Sequence, residues 1–307
     1  MIEISETIQK FIRDHSEDDL SDLLLSASRY GDVDVKMAVE QIKARSQIKD
    51  KLLSWYSDDR LYFPSTLAAE QCSSETTALY KQRLIQSGDC ICDLTGGLGV
   101  DTYFFSQKAR FVIYVEKNED YCEVARYNME LLGASGVRVI NADATDVVIN
   151  NDRCISDVNI FYIDPARRGE GNKRLFAISD CEPDMAKIWP LLREKQCGII
   201  VKLSPMLDIT QVLAQLPGVS EVHVVSVKNE SKELLVVAGA FSGEMPDESP
   251  DMQIVCINYT SGGEEQLFRF SLSDERSANV RLADRVGRYL YEPNSSILKA
   301  GDRKSVV

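Results

Sequence analysis

The chain of 307 residues is long enough to bury a sizeable core and to divide into one to three domains. Apolar residues make up 44% and charged residues 27%, which excludes a disordered or fibrous protein, and no apolar run reaches the roughly 18 residues of a membrane span. A net charge of −13 argues against a protein that coats nucleic acid nonspecifically, while leaving room for a local basic site.

The N-terminus, Met1-Ile-Glu-Ile-Ser, has neither the basic region nor the apolar core of a signal peptide, so a cytoplasmic location is expected. Residues 1–86 read as an N-terminal helical domain. Ser21–Ala27 and Val35–Ile48 carry helical periodicity, and no alternating strand pattern interrupts them. An aromatic-rich break at Trp55-Tyr56 and Leu61-Tyr62-Phe63-Pro64 precedes a helix with Ser73 or Ser74 at its N-cap.

Residues 87–242 change character. Short apolar strands are expected at Cys90–Leu94, Phe111–Glu116, Val137–Asn141, Val158–Asp164, Gly198–Leu203, Glu221–Val227 and Glu233–Ala240. Helix-length segments separate the first five, which predicts a parallel sheet with right-handed crossovers. The last two are joined only by Lys228–Lys232, too short for a crossover and suited to a hairpin. The expected fold is therefore α/β: a Rossmann-like, seven-stranded sheet of five parallel strands and a terminal hairpin with one reversed strand.

A polar linker at 241–250 leads into residues 243–307. There Asp251–Thr260 and Glu265–Leu272 alternate around Ser261-Gly262-Gly263, and a helix is expected over Asp274–Leu290. Two strands and a helix are thin for an independent fold, so this part reads as a small, truncated α+β unit.

Eight cysteines are scattered without a C-x-x-C spacing, and the two histidines, His15 and His223, lie far from each other and from the motifs below. Reduced thiols are expected, and no metal site.

The strongest chemical signal is Asp93-Leu94-Thr95-Gly96-Gly97-Leu98-Gly99-Val100-Asp101, a strand that ends in an acid, turns through glycines and opens a helix. Glycines there let a ligand approach the backbone at the carboxyl end of the first strand. The dinucleotide fingerprint G-x-G-x-x-G fails in every register. The spacing D-x-T-x-G-x-G instead resembles motif I of class I S-adenosylmethionine-dependent methyltransferases, with a plain structural βα turn as the alternative. Glu116 ends the second strand about 20 residues later, where an acid reads a ribose diol. Asp143, followed by Ala144, ends the third, where members of that class hydrogen-bond the adenine amine. Ala125-x-x-Asn128-x-x-x-x-Gly133 resembles a stretch common in the nucleic-acid methyltransferases, although Gly133 also suits a helix C-terminus.

The fourth strand ends in Asp164-Pro165-Ala166-Arg167, the motif IV position that faces the methyl donor. Base-amino methyltransferases carry D/N/S-P-P-aromatic there; Ala166 and Arg167 depart from it and weaken an adenine-N6 reading. Asp-Pro-x-Arg also resembles the uracil-C5 enzymes, but Leu203 stands where their nucleophilic cysteine belongs, which excludes covalent C5 chemistry. Arg167, Arg168, Lys173 and Arg174 crowd a glycine-containing loop with one acid, Glu170. Such a loop suits a phosphate-bearing substrate; a solvated surface loop is the alternative.

Together these features resemble bacterial class I S-adenosylmethionine-dependent methyltransferases with a THUMP-like C-terminal domain, a family associated with RNA modification. The likeness extends over Leu61–Lys81, the sheet domain and Leu290–Gly301. Asp-x-Thr-x-Gly-Leu-Gly-x-Asp is also similar to the ribosomal RNA guanine-N2 methyltransferases. The resemblance implies S-adenosylmethionine held by Asp93, Thr95, Gly97, Gly99, Glu116, Asp143 and Ala144. Gln71 and Ser74 would close over its methionine end, as in trimethylguanosine-synthase-like enzymes. It implies Asp164 and Pro165 at the acceptor, Arg167, Arg168, Lys173 and Arg174 on substrate phosphate, no metal and no membrane, and rRNA or tRNA as partner. A small-molecule methyltransferase and a non-catalytic S-adenosylmethionine- or RNA-binding module remain as alternatives.

Overall fold

A computed structural model describes residues 4–150, 153–167, 178, 181–239, 251–278, 288–289 and 292–301. The chain forms two compact units, Met1–Ala144 and Thr145–Val307.

The first unit opens with six α-helices: α1 (Glu6–Asp14), α2 (Leu20–Leu25), α3 (Val35–Ile48), α4 (Leu53–Tyr56), α5 (Thr66–Gln71) and α6 (Glu75–Arg83). Side chains of Ser5, Asp19, Asp34, Ser65 and Ser74 accept N–H bonds at the starts of five of them, as expected of these residue types. Three parallel strands follow, β1 (Cys90–Asp93), β2 (Phe111–Glu116) and β3 (Val137–Asn141), connected through α7 (Val100–Ser106) and α8 (Glu119–Leu131). Trp55, Leu61, Phe63, Leu98, Phe104 and Met129 belong to one buried cluster, so the early helices share a core with the helices that flank the strands.

The irregular stretch around residues 57–65 is held by side chains that imitate a strand partner. Gln41 donates to Phe63 O at 2.9 Å and accepts from Phe63 N at 3.0 Å. Asn128 does the same for Tyr62, at 2.8 and 3.0 Å. The Arg45 guanidinium, buried enough that desolvation lowers its pKa, donates to the carbonyls of Tyr56, Asp58 and Leu61. The asparagine of the A-x-x-N stretch therefore has a structural role, since it is fully buried and satisfies the backbone beside Tyr62-Phe63-Pro64. Gly133, at φ +69°, ends α8 in the left-handed conformation expected of it.

After α9 (Ala144–Ile149), the second unit contains β4 (Ile160–Ile163), a two-residue pair β5 (Ala166–Arg167) and β6 (Cys181–Glu182), and α10 (Met185–Glu194). β7 (Gly198–Leu203), α11 (Ile209–Gln215), β8 (Val219–Val227) and β9 (Glu230–Ala238) follow. β7 runs parallel to β4, and β9 runs antiparallel to both β7 and β8. The reversed strand is thus β9, reached through a two-residue turn in which Lys228 and Asn229 both have positive φ.

The remaining elements are β10 (Gln253–Tyr259), β11 (Glu265–Ser271), α12 (Leu272–Ser277) and α13 (Ser295–Ala300). Here the expected layout is corrected. β10 pairs in parallel with β8 over seven residues, so these strands extend the sheet, and the described sheet strands number nine, not seven. The Ser261-Gly262-Gly263 signal specified the local β10–β11 hairpin but carried no information about which strand β10 would join. Its central residues, Ile254–Ile257, are buried, the pattern of an interior strand. The helix expected over Asp274–Leu290 ends at Ser277, with Ala278 extended; residues 279–287 lie outside the described ones.

Candidate cofactor site and acceptor residues

The glycine loop is built from β1 outward. Asp93 is buried, and its carboxylate accepts from Thr95 N at 3.1 Å and from the Thr102 hydroxyl at 2.6 Å. It fixes the turn between β1 and α7, which is a loop-organising position. Gly97 and Gly99 have φ of +52° and +86°, a region that side-chain-bearing residues avoid. Gly96 is required for a different reason: a Cβ there would lie 2.1 Å from the ring of Tyr114. Tyr114, on β2, is buried to the point that its phenol stays protonated, and it donates to Gly97 O at 2.6 Å.

Glu116 stands at the end of β2 with both carboxylate oxygens in use. Oε2 accepts from Gly97 N at 3.1 Å and Oε1 from Asn118 N at 2.8 Å. Each oxygen retains a second lone pair for a ligand hydroxyl. Asn141, the last residue of β3, donates to the carbonyls of Glu116 and Lys117 at 2.9 and 3.0 Å, so it clamps the two strand ends together. Asp143 follows, half-buried, and Ala144 begins the short helix α9. A Cβ on Gly97 would meet only Thr95 O at 3.8 Å, so the loop backbone faces open space there. An open glycine beside a strand-end carboxylate fits the adenosyl and methionine portions of S-adenosylmethionine.

Gln71 is exposed at the end of α5, and Ser74 caps α6 through a 3.2 Å bond from Thr77 N. The segment between them is held from beneath. The buried Lys81 donates to Ser73 Oγ at 3.0 Å, Ser73 donates to Asp101 Oδ2 at 2.7 Å, and Lys51 donates to the carbonyls of Glu70 and Cys72. The sequence offers Ser73 only as a helix N-cap and Asp101 only as the end of the glycine motif, and it does not mark Tyr114, Asn141 or Lys81 as part of the site. The legible signal was Lys81, a cation spaced three and four residues from Ala78 and Thr77 on a buried helix face.

In the second unit, Asp164 leaves β4 half-buried, followed by the buried Pro165. Lys202 Nζ on β7 donates to Asp164 Oδ2. Arg167 lies on β5, opposite Cys181. Arg168, Lys173 and Arg174 lie outside the described residues.

Among the described residues no helix is long and apolar enough to cross a membrane. The eight cysteines are not joined in disulfides.

No protein-family model matches the chain, and a search of curated proteins finds no match. Among solved structures, a "putative methyltransferase" from Porphyromonas gingivalis W83 aligns with a TM-score of 0.79 at 32% identity, over 97% of this chain and 72% of its own. An rRNA methylase from Streptococcus thermophilus aligns at 0.40 with 14% identity, over 54% of this chain and 96% of its own. A "putative methyltransferase" from Streptococcus mutans, solved with SAH, aligns at 0.39 with 15% identity, over 54% and 97%.

Proposed function

The chain belongs to the methyltransferase family of the Porphyromonas gingivalis protein, and from that premise we propose that it methylates a base nitrogen of RNA, with a guanine amine as the favoured acceptor. S-adenosylmethionine is its methyl donor and supplies an already activated methyl group on a sulfonium.

The chain's own residues divide the remaining work. Glu116 accepts from the ribose hydroxyls, while its bond from Gly97 keeps the carboxylate against the loop. Asp143 and Ala144 receive the adenine edge. Gly97 and Gly99 leave the backbone open, Asp93 and Thr95 set the turn, and Gln71 and Ser74 bound the methionine end. At the acceptor, Asp164 orients the amine through a hydrogen bond, with Pro165 fixing the backbone beside it; positioning of this kind supplies much of the barrier reduction in such a transfer. Arg167, Arg168, Lys173 and Arg174 hold substrate phosphates, and an RNA substrate implies work in the cytoplasm. The THUMP-like kinship belongs to this proposal as well.

One observation carries the reading: Asp164 directly follows β4 in an Asp-Pro pair and keeps 34% of its side chain exposed, so a substrate amine can reach its carboxylate. The test is transfer of labelled methyl from S-adenosylmethionine to total RNA of a deletion strain, followed by nucleoside mass spectrometry. An N-methylated guanosine is the expected product. Label confined to small molecules would overturn the RNA reading. Calorimetric titration of Glu116→Ala should show weaker donor binding, and an unchanged affinity would remove Glu116 from the ribose.

A further inference from the structure

β7 reads Gly-Ile-Ile-Val-Lys-Leu, and Lys202 is its single polar residue; the other five are buried. The strand is flanked by β4 on one side and β9 on the other. A lysine inside such a strand loses most of its hydration, and only 15% of this side chain is exposed. A charge in that setting persists where a specific partner engages it.

The partner is set by register. Ile163 on β4 is aligned with Val201 on β7, so the residues one step further, Asp164 and Lys202, are neighbours at the carboxyl ends of two parallel strands. The ammonium donates to Oδ2 of Asp164. The exposure is uneven across the pair, 15% at the lysine against 34% at the aspartate. The cation is tucked into the sheet and the carboxylate is presented outward. On the other side, Lys202 opposes Leu235 of β9. Glu233, two residues before Leu235 and only 2% exposed, lies on the same face by strand alternation. Asp164, Lys202 and Glu233 are thus the charged residues that β4, β7 and β9 place at this face.

We infer that Lys202 is a positioning residue for methyl transfer: it holds the Asp164 carboxylate in the orientation that receives the acceptor amine. This rests on the reading of Asp164 given above. A salt bridge serving stability alone has no need of a half-exposed carboxylate at a strand end. A positioning pair needs that asymmetry, because the held group must still reach substrate.

The experiment compares Lys202→Met, Lys202→Arg, Asp164→Asn and the Lys202→Met/Asp164→Asn double variant. Methyl transfer to total RNA of a deletion strain, donor affinity by titration and melting temperature are read for each. Lys202→Met should lower the apparent kcat about 10- to 100-fold, with donor affinity and apparent KM for RNA changed less than about twofold. Lys202→Arg, which retains the charge, should recover most of the rate. The double variant should be no slower than Asp164→Asn alone, since the two residues act as one unit. If Lys202→Met melts below the assay temperature, Lys202→Gln replaces it under the same criteria. A wild-type kcat in the Lys202 variant, or rate losses that multiply in the double variant, would overturn the inference. Full turnover by Asp164→Asn would instead remove Asp164 from the acceptor site, and Lys202 with it. A readout independent of substrate is a crystal structure of Lys202→Met: the Asp164 carboxylate should leave its wild-type rotamer, and an unmoved carboxylate would count against the role even if RNA were not the acceptor.

Discussion

Lys81 Nζ lies 3.1 Å from Asp101 Oδ1, and the lysine side chain has no solvent exposure. The aspartate is the last residue of the Gly-Leu-Gly-x-Asp run, and Ser73 links the two through bonds of 2.7 and 3.0 Å. A buried ion pair of this kind ties the segment before α6 to the first turn of α7. Removing one partner leaves the other charge buried, so Lys81→Met should destabilise the protein by about 3–5 kcal/mol. Replacing both, as Lys81→Met with Asp101→Leu, should restore much of that loss because no orphan charge remains. Urea unfolding of the three variants decides it. A double variant as unstable as the single would show that the network's worth is more than charge compensation.

The glycines of the loop should separate under alanine substitution. At Gly96 the new Cβ would fall 2.1 Å from the ring of Tyr114, which has no exposed surface into which to retreat. Overpacking there should cost about 3 kcal/mol. At Gly97 no atom lies closer than 3.8 Å, so the cost is confined to a φ of +52°, about 1–2 kcal/mol. The donor should nevertheless bind Gly97→Ala poorly, because the methyl occupies the open side of the loop. Equal stability losses, or unaltered donor binding in Gly97→Ala, would contradict this division.

Much of the arrangement was legible because it is local. Strand bounds at 111–116, 137–141 and 198–203 coincide with the apolar runs, since each run is short and punctuated by turn residues. The Asp93–Gly99 turn and the Glu116 strand end follow from spacing alone. The supports of those residues were not legible. Tyr114 sits in a run of apolar residues, where nothing marks it as the group that dictates Gly96. Lys202 meets Asp164 only through the register of two strands nearly forty residues apart in sequence. β10 escaped for the same reason, since its pairing with β8 depends on a distant partner. Local chemistry is written in neighbours; tertiary support is written in register, which a single sequence does not display.

A pH dependence should follow from β8. His223 Nε2 lies 2.9 Å from Glu221 Oε2, and the imidazole side chain is only 3% exposed. The interaction with the neighbouring His223 lowers the pKa of Glu221 below the ordinary carboxylate value. A carboxyl whose pKa is depressed on folding stabilises the fold above its unfolded value of about 4.3, and that contribution disappears as the pH falls through the folded value. Glu221→Gln should therefore melt below the wild type at neutral pH, with the gap closing at about pH 4 and below. Melting curves across that range test the sign. A gap that stays constant with pH would mean that the pair contributes packing and no charge.

Arg167, Arg168, Lys173 and Arg174 follow Asp164 within ten residues of a chain carrying a net charge of −13, so their positive charge is local and opposed by the rest of the molecule. If they bind phosphates, each contact releases condensed counterions from RNA, and affinity must fall as salt rises. Replacing all four with glutamine should weaken RNA binding and flatten the plot of log affinity against log salt by about 0.7 for each lost contact with single strands. Donor affinity should be untouched, because none of the four is among the residues proposed to hold the donor, such as Gly97, Glu116 and Asp143. Filter binding of total RNA at several salt concentrations, beside titration of the donor, measures both. Unchanged RNA affinity and slope would identify the run as solvated surface, and a small acceptor molecule would then become the better candidate. Loss of donor binding together with RNA binding would point to a folding defect, which the melting temperature of the same variant separates from a lost contact.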